Sequence, residues 1–535
     1  MQLYRKVDQM QQEENKKVKV VLVDGDKNIE FHYTSDMSLL EAIGKHGVYL
    51  AATCGQRGTC GKCKVQLVEG ELSISDADQK KFTKQELSQG YRLACKAYPK
   101  ENCTIRIAGE TDAEFEIITD NTVYQTRKSI DKEEGYAVAI DIGTTTIAMS
   151  LISLSNKNVQ NTFSSINKQR AYGADVVSRI KASNEGKGKE LRESIQKDLL
   201  AGLQTLLEQA EIEYTGLKRV VIAANTTMVH LLLGYSCEGL GIFPFKPVQT
   251  DIFHSTFREV FNSDDSQAEI IILPGISAFV GSDIIAGLYA CNLDKKQKIN
   301  LFIDLGTNGE MAIGNKERIL VSSTAAGPAF EGGNILCGVG SVAGAICKVE
   351  LRGSIPELET IGGKPPVGIC GTGVVEITAE LLRTRLIDET GLLANSYFEE
   401  GYELSRDVQR KPIIFTQKDI REIQLAKAAI RAGIEILMRR YSCRYEDIEC
   451  LYLAGGFGYQ LNLEKAMRIG LIPEELHGRM KAIGNSALAG AVKYLLEEAA
   501  DNRLNLMKQI TDEIHLSNDE EFNELYLKEM YFPKK

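Results

Sequence analysis

Ala137-Val138-Ala139-Ile140-Asp141-Ile142-Gly143-Thr144-Thr145-Thr146 and Asn300-Leu301-Phe302-Ile303-Asp304-Leu305-Gly306-Thr307-Asn308-Gly309 carry one pattern twice in a single chain. In each copy an apolar run ends in a carboxylate, and a glycine then opens a tight turn rich in backbone and hydroxyl donors. One such turn is an ordinary hairpin feature. Two of them, each behind an apolar strand, predict a pair of anion-binding turns that clasp a polyphosphate, with Asp141 and Asp304 placed to hold Mg2+ or its waters. The donors would come from Gly143, Thr144 and Thr145 in the first turn and from Gly306, Thr307, Asn308 and Gly309 in the second. Glu310, next to the second turn, is a candidate for positioning a water. A third stretch, Leu453-Ala454-Gly455-Gly456-Phe457-Gly458, again follows an apolar run. Its small residues would let a flat ring lie against backbone, which makes Gly455, Gly456 and Gly458 candidates for the adenosine of ATP.

Around these turns the apolar segments Val138 to Ile140, Val220 to Ala223, Ile270 to Leu273, Leu301 to Ile303 and Leu451 to Leu453 alternate with helical patterns. That alternation predicts an α/β region with buried central strands. Thr416 and Asp419 form a capping-box signal for a helix running to about Arg440, whose Ile423, Ala426, Ile430, Ile434 and Leu437 make an apolar face. Cys370-Gly371-Thr372-Gly373 opens a helical pattern from Val374 to Leu386 and reads as a donor-rich connector between the halves. There is no G-x-x-x-x-G-K-[ST] and no H-E-x-x-H. Gly338-Val339-Gly340 mimics a dinucleotide fingerprint but lacks a clear preceding strand. The six histidines show no ligand spacing, and Gly275-Ile276-Ser277 is not a nucleophile elbow.

The amino-terminal region has a different chemistry. Cys54-Gly55-Gln56-Arg57-Gly58-Thr59-Cys60-Gly61-Lys62-Cys63 places three thiols in ten residues. This C-x5-C-x2-C loop is one residue wider than the plant-type 2Fe-2S spacing. Its glycines permit backbone angles that other residues resist, so the loop can wrap a compact anionic cluster. Disulfides would need an oxidising compartment, and zinc sites usually pair two C-x2-C knuckles where this loop has one. Lys17 to Val23 and Ile29 to Tyr33 read as a hairpin, Ser38 to His46 as a helix, and Val65 to Val68, Tyr91 to Ala97 and Thr104 to Ile107 as further strands. About 110 residues of strands crossed by a helix suggest a β-grasp. Cys95 and Cys103 compete for the fourth ligand position. The strand alternation around Thr104 to Ile107 accounts for Cys103, which favours Cys95.

Length and composition bound the rest. At 535 residues with 43 % hydrophobic content, the chain has ample material for several buried cores. A net charge of −10, a pI near 5.4 and no long basic block argue against nucleic-acid or anionic-membrane binding. The first 17 residues are polar and no run of 18 apolar residues occurs, which predicts a cytoplasmic protein. Of the twelve cysteines, Cys237, Cys291, Cys337, Cys347, Cys370, Cys443 and Cys450 read as small buried hydrophobes. The expected division is a cluster domain over 1–108, an acidic linker over 109–135, a first lobe with a middle region over 136–298, and a second lobe over 299–535.

The paired Asp-Gly-Thr turns and the Ala454-Gly455-Gly456-Phe457-Gly458 stretch resemble the phosphate and adenosine motifs of the acetate and sugar kinase, Hsp70 and actin superfamily. Arg92-Leu93-Ala94-Cys95 looks like the corresponding ferredoxin stretch, so the resemblance makes Cys54, Cys60, Cys63 and Cys95 the cluster ligands. With Asp304 to Glu310 and Ala223-Ala224-Asn225-Thr226-Thr227-Met228, the whole resembles reductive activators of corrinoid-dependent methyltransferases. The implied fold is an α+β β-grasp 2Fe-2S domain followed by an α/β, duplicated, ribonuclease H-like two-lobed ATPase of actin/Hsp70 type. The implied activity is ATP-dependent return of Co(II) to Co(I) on a partner corrinoid protein. The electron would come from a low-potential donor such as ferredoxin or flavodoxin, and a homodimer is compatible with this reading. No cysteine follows Cys450, unlike in some archaeal activators with added 4Fe-4S motifs, so the chain looks like the bacterial one-cluster type. It also lacks D-x-H-x-x-G, which places the cobalt on the partner. Two rivals are an ATP-independent 2Fe-2S carrier or redox-sensing docking module, and a cluster-regulated kinase of a small substrate.

Overall fold

The computed structural model describes residues 18–24, 27–33, 37–46, 48, 50, 58, 61, 63–108, 135–306, 308–353, 355–407, 410–455, 461–517 and 519–534. Cys54, Cys60, Thr307, Gly456, Gly458 and residues 109–134 of the expected linker over 109–135 lie outside them. The chain divides into two compact units, one gathering the described residues up to 108 with Asn167–Ile195, the other residues 135–166 and everything from Gln196 onward.

The first unit holds a five-stranded sheet in the order Lys27–Tyr33, Val18–Asp24, Cys103–Ile107, Lys64–Glu69, Tyr91–Leu93. Val18–Asp24 runs antiparallel to its hairpin partner and parallel to Cys103–Ile107, the mixed pairing of a β-grasp. The helix Leu39–Lys45 starts where Ser38 accepts the Glu41 amide and Glu41 returns the bond to the Ser38 amide. It buries Leu39, Leu40 and Ile43 against Val20, Leu22 and Val65 of the sheet. Two short helices, Asp76–Lys81 and Lys84–Ser88, follow the strand Lys64–Glu69, because Ser75 and Thr83 each start a separate capping box. The strand expected to reach Ala97 stops at Leu93 and turns sharply over Ala94–Lys96, which places Cys95 at the end of the sheet.

The second unit is built on one arrangement used twice. Tyr136–Ile142, Thr146–Ser153 and Asn158–Ile166 form an antiparallel meander, to which Leu217–Ala224 and then Glu269–Ile272 add in parallel. Ile299–Leu305, Gly309–Gly314 and Ile319–Thr324 repeat the meander, with Ile448–Ala454 and then Met480–Gly484 added in parallel. The last strand of each parallel pair leads into a helix, Ser282–Ala290 in the first copy and Ser486–Leu496 in the second. These two helices share one core with Ala137, Ala139 and Val221 of the first sheet and Phe302, Ala312 and Val321 of the second. Their crossing is close: a Cβ on Gly490 would lie 2.1 Å from the Ala286 carbonyl oxygen. Behind the second sheet, the helix Gln417–Tyr441 starts on the expected Thr416/Asp419 capping box and buries Ile423, Ala426, Ile430, Ile434 and Leu437. Among the described residues no helix is long and apolar enough to cross a membrane.

Two smaller expectations change. Cys370-Gly371-Thr372-Gly373 opens the helix Gly371–Arg383, and the Cys370 amide donates to the Ile346 carbonyl of the second copy at 3.1 Å. Gly373 is packed against the Ile346 carbonyl, where a Cβ would come within 2.1 Å, so its smallness serves packing inside the second copy. Of the seven scattered cysteines only Cys237 and Cys370 are fully buried, and the others are half-buried.

Candidate functional site

In the first unit, Cys63 stands just before the strand Lys64–Glu69 and Cys95 within the turn Ala94–Lys96. Both thiols are buried, and their sulfurs approach to 3.3 Å. The Ala94 amide donates to the Cys63 carbonyl at 2.8 Å and so fixes the two segments together. Gly58 and Gly61 have φ of +80° and +79°, in the left-handed region that glycine adopts without strain. Cys103 instead heads its strand opposite Val20, its thiol pushed up to about 11 by burial. Convergence of two buried thiols from separate segments fits the donor set of a 2Fe-2S cluster, and Cys95 is the thiol that meets Cys63.

In the second unit the duplicated strands bring their ends together. Asp141 closes its strand opposite Ala148 and beside Ala223, and Asp304 holds the matching place opposite Glu310 and beside Ala454. Burial pushes both carboxyls up to about 7. Asp283 adds to the effect on each, while an Asn485 amide bond at 2.8 Å pulls Asp141 the other way. Asp283 itself is raised to about 6 by burial. Glu310, which accepts from the Ser323 hydroxyl at 3.3 Å, is raised well above the usual carboxylate range by burial and then by Asp283 and Asp304. Among the described residues, the groups shifting these four carboxyls include no Lys or Arg. Carboxylate oxygens are the donor type that hard cations such as Mg2+ take, although among the described residues no three of these groups stand close enough together to hold a metal ion by themselves.

The turns are shaped for close approach. The Gly143 amide donates to the Thr146 carbonyl at 2.8 Å and the Gly306 amide to the Asn308 carbonyl at 3.0 Å. Asn225, at the end of Leu217–Ala224, donates to the Thr144 hydroxyl at 3.1 Å, and Thr145 donates to Glu331 at 3.3 Å. Gly309 is buried on its strand, where a Cβ would meet Ile430 at 2.9 Å. Gly455 has φ of +88°, and a Cβ there would lie 2.7 Å from the Leu305 carbonyl and 2.8 Å from an Asp304 oxygen. The third glycine stretch therefore begins against the second turn.

Asp283, Asn485 and Glu331 were not foreseen from sequence. Asp283 and Asn485 share a signal: Gly281-Ser282-Asp283 and Gly484-Asn485-Ser486 each open an apolar helix that follows an apolar strand. Asn485 caps its helix by accepting the Leu488 amide at 2.8 Å, and Ser282 ties its helix to Ala224 through bonds of 2.8 and 2.9 Å. His230 accepts from the Val248 amide at 2.9 Å and pairs with the Thr226 carbonyl at 2.8 Å, and His254 lies between Glu269 and Asp501.

Comparisons with known proteins agree with this anatomy. Residues 22–100 match the 2Fe-2S iron-sulfur cluster binding domain, 136–296 the RACo middle region, and 298–535 the C-terminal domain of RACo, the ASKHA domain. The chain is 33 % identical over 438 residues to the corrinoid activation enzyme RamQ of Eubacterium limosum, covering 78 % of this chain and 74 % of that one. It is 28 % identical over 436 residues to the [Co(II) methylated amine-specific corrinoid protein] reductase of Methanosarcina barkeri, covering 74 % and 77 %. A solved reductive activator for corrinoid, iron-sulfur protein superposes with a TM-score of 0.69 at 27 % identity, over 97 % of this chain and 98 % of that one. With an amino-terminal 2Fe-2S domain and an ASKHA domain at the carboxyl end, the chain belongs to the RACo family of reductive activators of corrinoid proteins.

Proposed function

We propose that the protein is a cytoplasmic, ATP-hydrolysing iron-sulfur activase that returns Co(II) to Co(I) on a partner corrinoid protein of a methyltransferase system. The observation that carries this reading is the presence, in one chain of this family, of converging Cys63 and Cys95 thiols and of doubled turns that follow the buried Asp141 and Asp304. Cys54, Cys60, Cys63 and Cys95 would hold the cluster, which when bound supplies one-electron transfer between a low-potential donor and the partner.

The chain's own residues have separate tasks. Asp141 and Asp304 would hold Mg2+ directly or through its waters. Thr144, aimed by Asn225, and the backbone of the Gly143 and Gly306 turns would orient the phosphates. Gly455 keeps a side chain out of the space beside Asp304, where the adenosine end would enter. Glu310, steadied by Ser323, would position the attacking water.

ATP is needed because the electron alone lacks the driving force. Plant-type 2Fe-2S centres lie at roughly −400 mV, and this reading takes the partner's Co(II) corrinoid to be harder still to reduce. Closure of the two lobes on ATP would change how the partner's corrinoid is held and raise the cobalt potential. Such coupling works only if ATP binds the two lobe arrangements unequally. Phosphate release measured with and without the corrinoid partner tests this. Partner-stimulated free phosphate, lost in Asp304→Asn with an intact cluster spectrum, is expected. No hydrolysis even with partner present would point to a simple carrier, and a phosphorylated small molecule to a kinase.

A further inference from the structure

Glu331 occupies a place that neither the turns nor the cluster explain. It ends the short turn Pro328–Glu331, and its carboxylate accepts from the Thr145 hydroxyl at 3.3 Å, across 186 residues of chain. Its other oxygen lies 3.7 Å from where a Cβ on Gly306 would stand, so one carboxylate touches the hydroxyl of the first turn and faces the glycine of the second. Those are the two turns read above as the cradle of a polyphosphate.

The support behind Glu331 is stiff. Ala329 and Phe330 are buried in the core. Gly327 and Gly332 take φ of +79° and +75°, and a Cβ on Gly332 would meet the Val339 carbonyl at 2.2 Å. The Leu336 amide is held by Asp419 at 2.8 Å, which ties the loop to the start of the helix Gln417–Tyr441. A carboxylate on so fixed a mount, bonded to an anion-turn hydroxyl, presents negative charge and acceptor oxygens where a phosphate is expected. A phosphate and a carboxylate cannot share one hydroxyl donor without like-charge repulsion.

We propose that Glu331 is an internal stand-in for the nucleotide's phosphate, occupying the Thr145 hydroxyl in the resting protein and giving it up when the polyphosphate enters. This inference rests on the nucleotide reading of the turns. It makes Glu331 a positioning residue that joins the two turns in the absence of ATP, so that ATP must replace the contact rather than simply fill a gap. The resting arrangement is thereby held by an interaction that the nucleotide itself removes.

The test is a double-mutant cycle on the full, anaerobically purified holoprotein. The affinity of the Mg2+ complex of the non-hydrolysable β,γ-imido analogue of ATP is measured by titration calorimetry for wild type, Glu331→Ala, Thr145→Val and the double variant. Removing one charge-assisted competitor should tighten binding about 3- to 10-fold in Glu331→Ala. The same change should give no gain in the Thr145→Val background, since the contested hydroxyl is gone. Weaker or unchanged binding in Glu331→Ala overturns the proposal, and so does an equal gain in both backgrounds, which would mean general charge relief. Should Glu331→Ala fail to fold, Glu331→Gln must show tightening in the same direction. Wild type that binds no nucleotide sinks the reading of the site itself, whereas wild type that binds without tightening in the variants sinks only the role of Glu331.

Discussion

The side-chain amide of Asn485 donates to Oδ2 of Asp141 at 2.8 Å, joining residues 344 positions apart in the chain. The same Asn485 caps the helix Ser486–Leu496, so one side chain couples the start of that helix to the end of the strand Tyr136–Ile142. Asn485→Asp keeps a competent cap but sets a second carboxylate against Asp141. The variant should fold with its cluster intact while nucleotide affinity falls about tenfold or more. Titration calorimetry checks this beside Asn485→Ser, which caps without the added charge. Equal losses in the two would assign the effect to the lost amide rather than to repulsion.

The raised carboxyls give the nucleotide-free protein a defined pH dependence. Asp141 and Asp304 titrate at about 7 when folded and near 3.8 when unfolded, so between those values the folded state keeps protons that the unfolded state has lost. Their contribution is fully present below pH ~3.8 and is lost as pH rises through about 7. Thermal melts without nucleotide should therefore show stability falling across that window. Asp304→Asn should flatten the fall and melt higher than wild type at pH ~8, yet gain nothing from MgATP. A variant that is less stable than wild type at that pH contradicts the assignment.

Glu310 is expected to matter for turnover more than for binding. It stands opposite Asp304 in the strand pair and is held by Ser323. Glu310→Gln should slow partner-stimulated phosphate release about 100-fold or more while leaving affinity for the ATP analogue near that of wild type. Loss of affinity with an unchanged hydrolysis rate at saturation would place Glu310 on the nucleotide rather than on the water.

The two competing cysteines separate cleanly. Cys95 meets Cys63 at 3.3 Å, whereas Cys103 is a buried strand thiol whose ionisation is resisted by its apolar surroundings. Cys95→Ala should lose the visible and paramagnetic signature of the cluster with its iron, and keep the nucleotide-induced rise in melting temperature. Cys103→Ala should keep the cluster. The opposite pattern would reassign the fourth ligand.

What could be read in advance, and what could not, follows from where information lies along the chain. Asp141 and Asp304 were legible because strand, carboxylate and glycine are consecutive, so local chemistry alone marks the turn. The capping box at Thr416 was readable for the same reason. Asp283, Asn485 and Glu331 were not, because each acquires its role only when a parallel strand or a packed loop brings it back to a turn far away in sequence. The Cys95 turn fell between these cases. A strand pattern continuing to Ala97 concealed a sharp bend at Ala94, which the Cys63 carbonyl stabilises from 31 residues earlier. Half-burial of Cys291, Cys337, Cys347, Cys443 and Cys450 was likewise invisible, since a cysteine pattern carries no record of which strand edge lies over it.

The most direct measurement of coupling is anaerobic absorbance of a partner corrinoid protein, followed from Co(II) to Co(I) in the presence of the reduced protein, with and without ATP. Co(I) should accumulate only with ATP, only when the cluster is present, and not with Asp304→Asn. Co(I) formed to the same extent without nucleotide would contradict the claim that the Asp141 and Asp304 turns govern electron delivery.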